Sequence, residues 1–146
     1  MRISSRLIGS LLGLNALITA STQAAAFGAL AIGTTGNVAA DGMAVGGGIN
    51  YPTSDAAIAS AMEVCRTEPG IPKATAQCKI VGTFSGKCYA AAFDPKSGTP
   101  GAGWAIEPDR ASAEKQALAN CQATARKDRS QFCKVDAPTV GCDKHN

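Results

Sequence analysis

Six cysteines, at positions 65, 78, 88, 121, 133 and 142, carry the most definite chemistry in this 146-residue chain. Thiols in such number either bind a metal as thiolates or join as disulfides. A structural zinc site needs close pairs such as C-x₂₋₄-C, and the nearest cysteines here, Cys133 and Cys142, are nine positions apart. An even count without such pairs reads as a disulfide framework, which belongs to an oxidising compartment.

The other reactive residue types assemble poorly. The one histidine, His145, stands next to the C-terminus in "DKHN". Nucleophilic catalysis needs a histidine held by a third group, which a chain end does not provide. Glu107, Asp109 and Glu114 gather where a helix begins, and carboxylates there favour the helix dipole. The rival reading is a glycosidase-like acid pair. Gly46–Gly48 and "SGTPGAG" at 97–103 lack the G-x-x-x-x-G-K-[ST] pattern of a phosphate loop and read as hairpin tips. Asp94, Lys96 and Ser97 could suggest a calcium loop, but too few oxygen ligands follow at suitable spacing. Catalytic, metal and cofactor sites are therefore all expected to be absent. Trp104, the only tryptophan, is a core or surface anchor.

The N-terminus explains the oxidising compartment. Arg2 and Arg6 precede an apolar run from Leu7 to Ala20, and Ala24, Ala25 and Ala26 supply small residues for signal peptidase. This predicts a signal peptide over 1–26 and one domain over 27–146. The apolar run is shorter than the roughly 20 residues of a membrane span, so no span is expected after cleavage. The mature chain is secreted or periplasmic on this reading. Without Arg2 and Arg6 it carries 12 basic against 11 acidic residues. Near-neutral charge and few aromatics argue against nucleic acid as a partner.

The mature chain is one unit written twice. "YPTSDAAIASAMEVC" matches "EPDRASAEKQALANC", with Pro52 on Pro108, Ala57 on Ala113 and Ala61 on Ala117. Cys65, Cys78 and Cys88 then fall on Cys121, Cys133 and Cys142 at offsets of 56, 55 and 54. The repeats span about 27–88 and 89–142. The first copy places Gly48 opposite Trp104 and holds five extra residues between Ile32 and Pro52. Each copy begins with an alternating apolar stretch, turn residues and a second short strand. Thr53 and Asp109 follow as N-caps. Each helix then ends near its cysteine, with Ala57, Ala61 and Cys65, or Ala113, Ala117 and Cys121, along one face.

"CKIVGTFSGKCYAAAF" reads as a hairpin turning at Ser85-Gly86. On its neighbours, Leu30, Ile32, Tyr89 and Phe93 make the bulkier sheet face, expected beneath the helices. Ala29, Ala31, Ala90 and Ala92 make the other face; that face with Trp104, or else the glycine-rich hairpin tips, is the expected partner surface, in preference to a cleft. The fold class is α+β: an antiparallel sheet with two helices on one face, pseudo-twofold symmetry and disulfide staples. Six cysteines allow 15 connectivities. In that hairpin Cys78 and Cys88 would lie about five residues out of register, or ~17 Å at ~3.4 Å per residue, beyond disulfide reach. Joining each helix end to the next strand gives Cys65–Cys78 and Cys121–Cys133, with Cys88–Cys142 linking the copies.

The signal peptide, "FGALAIG", the alanine-striped helix ending in cysteine and "CKIV…C", followed by the second copy, resemble the domain of unknown function 4189 family of small secreted bacterial proteins. The resemblance implies export and a sheet with two helices, and it brings no catalytic residues. The function expected is an exported, non-enzymatic binding or inhibitor-type module acting on another protein. The alternative is a small cell-envelope hydrolase using carboxylates.

Overall fold

A computed structural model describes residues 26–143. The signal-peptide reading and His145 fall outside the described residues, save for Ala26 at the cleavage site. The first copy contributes β1 (Phe27–Gly33), β2 (Ala44–Tyr51) and β3 (Lys79–Phe84), paired antiparallel in the order β2-β1-β3. The second contributes β4 (Cys88–Phe93), β5 (Ala102–Glu107) and β6 (Lys134–Cys142), in the order β5-β4-β6. A one-turn helix, α1 (Val38–Asp41), lies between β1 and β2, and another, α3 (Pro72–Thr75), precedes β3. The long helices are α2 (Ser54–Arg66) and α4 (Arg110–Thr124). The expected caps start them: Thr53 accepts from Ala56 N at 3.2 Å, and Asp109 from Ser112 N at 2.9 Å.

The α+β class, antiparallel strands and duplication hold, with the strands divided into two sheets. The supposed hairpin is the point of division. β3 pairs with β1, whereas β4 pairs with β5 and β6, so residues 85–87 carry the chain from one sheet to the other.

The strand phase is the reverse of the expected one. Ala29 and Ala31 pack against Ala57, Ala61 and Cys65 of α2. Ala90 and Ala92 pack against Ala113, Ala117 and Cys121 of α4. All four strand alanines are fully buried, so they form no partner surface. The physical reason is that both sheet faces are core. The helix sides use small residues because the helices lie close. A Cβ added at Gly46 would strike the Ala61 carbonyl and Cys65 N, and one at Gly103 would strike Asn120 and Cys121. Gly46–Gly48 are therefore strand residues, not a hairpin tip. The larger side chains are pushed to the opposite faces, where Leu30, Ile32, Met43 and Phe84 of the first copy meet Tyr89 and Ala102 of the second. The layers run helix, sheet, sheet, helix.

Between the sheets the two copies exchange large for small. Leu30 pairs with Gly47, whereas the equivalent pair is Ala91 with Trp104. Gly28 pairs with Phe84, whereas the equivalent pair is Tyr89 with Gly141. The Tyr89 ring covers Gly47 and Gly141, and Ile106 covers Gly82. By register the counterpart of Trp104 is thus Gly47 rather than Gly48. The five extra residues are also located. Ile32 to Val45 is 13 positions where Phe93 to Ala102 is nine, and this surplus builds α1. The fifth is a bulge at Asn50, which has φ 60°. Asp143 holds that bulge by accepting from Asn50 N at 3.1 Å, and it also accepts from Gly86 N at 3.2 Å.

The cysteines pair as Cys65–Cys78, Cys121–Cys133 and Cys88–Cys142. The third bridge, however, joins β4 to its neighbour β6 within the second sheet, because Cys88, the last residue of the first repeat by sequence, already opens β4; it does not tie one sheet to the other. The two local staples close loops of similar length, worth roughly 3 kcal/mol each. Pro138 sits on β6, an edge strand with an irregular register, as its missing N–H requires.

The buried phase makes a direct prediction. The double variant A90E/A92E places two carboxyl groups in the alanine layer under α4, where overpacking and burial of unpaired polar groups together should cost a large part of the 5–15 kcal/mol of a typical domain. It should show no cooperative thermal transition by circular dichroism. A folded A90E/A92E protein would contradict the layer order.

Candidate functional site

The two equivalent strand connections, 34–43 in the first copy and 94–101 in the second, face each other across a groove. Its volume is about 480 Å³, and Gly70, Ile71, Pro72 and Lys73 complete the wall. Each connection is held by one carboxylate. In the first copy Asp41 accepts from Thr35 Oγ1 at 2.8 Å and from Lys73 Nζ at 3.0 Å. In the second, Asp94 forms a two-pronged pair with Arg129, at 2.5 Å to Nε and 2.6 Å to the second guanidinium nitrogen. Asp94 also accepts from Lys96 N at 3.1 Å, and its own N–H closes the loop base on Gly101 O at 2.9 Å. Arg129 stacks on Phe132, 4.6 Å from the ring centroid.

These bonds set the ionisation of the groove. The guanidinium hydrogen bonds hold the Asp94 carboxyl far below the ordinary carboxylate range, against the opposing effect of burial. Hydrogen bonds from Thr35, then Lys73, lower Asp41 as well. Both carboxylates are ionised at neutral pH. Apolar surface comes from Val38, Met43, Ile71 and Phe93.

Neither carboxylate pairing was expected from sequence. The partners stand 32 and 35 positions apart, and Asp41 ends its connection where Asp94 begins the other. Of Glu107, Asp109 and Glu114, the last two serve the start of the helix, as the helix-dipole reading expects. Asp109 caps α4, and Glu114 meets Arg110 at 3.4 Å. Trp104 is half-buried; it packs on the inter-sheet core and lines a second groove of about 500 Å³ with Glu107, Asn120 and Thr124. The tip at 97–101 lines the first groove. Among the described residues no group of three or more His, Cys, Asp or Glu side chains could hold a metal, and no helix is long and apolar enough to cross a membrane.

The Asp94 pair yields a pH prediction. Its pKa is lower in the folded chain than its ordinary 3.8. The stabilisation is therefore complete above that value and is lost as pH falls below it toward the folded pKa. Asp94→Asn should lower Tm by several degrees at pH 7 and flatten the fall of Tm below pH 4 in calorimetry. Asp41 and Asp109, shifted in the same direction, keep some slope. An acid limb identical in the variant and the parent would contradict this assignment.

Comparison with curated proteins and with solved structures finds no match. A family model described as a domain of unknown function (DUF4189) matches residues 27–138, from the first residue of β1 into β6. That span takes in both sheets, both long helices and both walls of the groove, so the chain belongs to the domain of unknown function 4189 family.

Proposed function

We propose that this chain is an exported, non-enzymatic binding or inhibitor-type module that recognises another protein through the groove between its two strand connections. One observation carries the reading: the two carboxylates that brace the loops of the groove, Asp41 and the fully buried Asp94, are each bound to a cation and held in the ionised state. A carboxylate hydrolase works by pushing two pKa values apart, so that one acid stays protonated near neutrality. Here both are moved down, by bonds that fix the loops. The groove walls are thereby organised before any ligand arrives, which lowers the ordering cost of association.

Export rests on the N-terminal signal and the three disulfides, with the periplasm or the medium as the place of action. The test is purification from the native exported fraction, with intact mass and co-purifying protein read together. The expected mass starts at Phe27 and leaves no alkylatable thiol. A co-purifying partner should be retained by the parent and released by Ser97→Trp, which fills the groove from its exposed loop. Equal retention by Ser97→Trp would place recognition elsewhere, and a turnover abolished by Asp94→Asn in a folded variant would favour the hydrolase.

A further inference from the structure

The charges around the groove do not cancel. Asp41 is matched by Lys73, and Asp94 by Arg129. Lys96 stands on the wall of the same groove, exposed, and among the described residues it has no ion pair. Its backbone is nonetheless fixed, because its N–H is held by Asp94 and its carbonyl accepts from Thr99 Oγ1 at 2.7 Å. The cation therefore projects from a rigid loop beside a partly apolar floor. Met43 is buried there, while Val38, Ile71 and Phe93 are half-buried.

We propose that the groove holds an acidic, apolar-flanked peptide segment of the protein partner, its carboxylate paired with Lys96. The inference rests on the binding-module reading and names the chemistry of the partner. Charge complementarity selects the acidic residue, since it is the group that neutralises the one unmatched cation of the site. The half-buried apolar side chains select its neighbours, because covering them removes apolar surface from water. The bonds from Asp94 and Thr99 hold the loop in place, so the segment enters a preformed slot.

The experiment uses the mature, oxidised chain and a set of blocked hexapeptides. Each carries one Glu among Leu, Phe and Gly, and each has a twin with Gln in place of Glu. Binding is read by two-dimensional NMR titration. The expected result is shift changes confined to the two connections, with the best Glu peptide about threefold or more tighter than its Gln twin. The preference should disappear in Lys96→Ala, weaken with added salt and persist in Lys115→Ala, which removes an exposed cation on α4. Equal affinity of the twins, or a preference unchanged in Lys96→Ala, overturns the proposal. So does an absence of peptide binding; if the native partner is still released by Ser97→Trp in that case, the binding-module reading stands without it. Octanoate serves as a further probe: if it displaces no bound peptide the peptide assignment is supported, and if it alone binds, the site takes a small amphiphilic anion and the proposal fails.

Discussion

Each long helix rests almost directly on the backbone of its sheet, and the rest of the molecule follows from that contact. At Gly46 and Gly103 there is no room for a methyl group between strand and helix. Around these points the contact is built from alanines and half-cystines. Such a layer buries little apolar area per residue, and the favourable energy of folding scales with that area. The missing area is recovered on the opposite sheet faces, where the leucine, isoleucine, phenylalanine and tyrosine side chains are found. Neither sheet can leave that face in water, so the two copies pack face to face. Disulfides from the helix ends then fasten each thin layer to the strand that follows.

Duplication would ordinarily set like against like across such an interface. Here the copies have diverged into complementary halves, with Leu30 and Gly47 in one and Ala91 and Trp104 in the other. A second exchange sets Phe84 over Gly28 and Tyr89 over Gly141. The Phe84 and Tyr89 rings end 6.3 Å apart, within the range of favourable tilted aromatic pairs. Divergence also shaped the groove. Four of the extra residues of the first copy form α1, which faces the shorter second connection across the opening. A strictly symmetric chain would lack this difference between its walls.

What could be read from the sequence was local. Thr53 and Asp109 precede helical patterns directly, and the cysteine pairs of each copy lie within 13 positions of one another. The repeat itself was legible because three cysteines recur in register. The alanine face is not legible as the helix-covered one, because a bulkier face buries more apolar area and is the one ordinarily turned to a helix. Which face a helix covers depends on distance of approach, and composition does not record that distance. The sheet division was hidden for a similar reason: a short Ser-Gly link serves a hairpin and a crossover between sheets equally well. At the groove, the turn residues Ser97–Gly101 are legible as a tip, whereas Ala102 and Gly103 already belong to β5 and the pairs Asp41–Lys73 and Asp94–Arg129 leave no local signal. Those pairs link positions more than 30 apart, and the two aspartates occupy different places in their repeats.

The most direct test of the close helix contact is the sign of one substitution, Gly46→Ala, measured by urea unfolding of the oxidised chain. Gly46 has no positive φ, so with free space alanine would stabilise the protein by about 0.4–1 kcal/mol through the unfolded chain. A Cβ that meets the Ala61 carbonyl and the Cys65 backbone should instead cost about 1–3 kcal/mol, as overpacking does. A loss of stability of that size is the predicted result. Unchanged or increased stability would contradict the account, because the helix would then have room to stand away from its sheet.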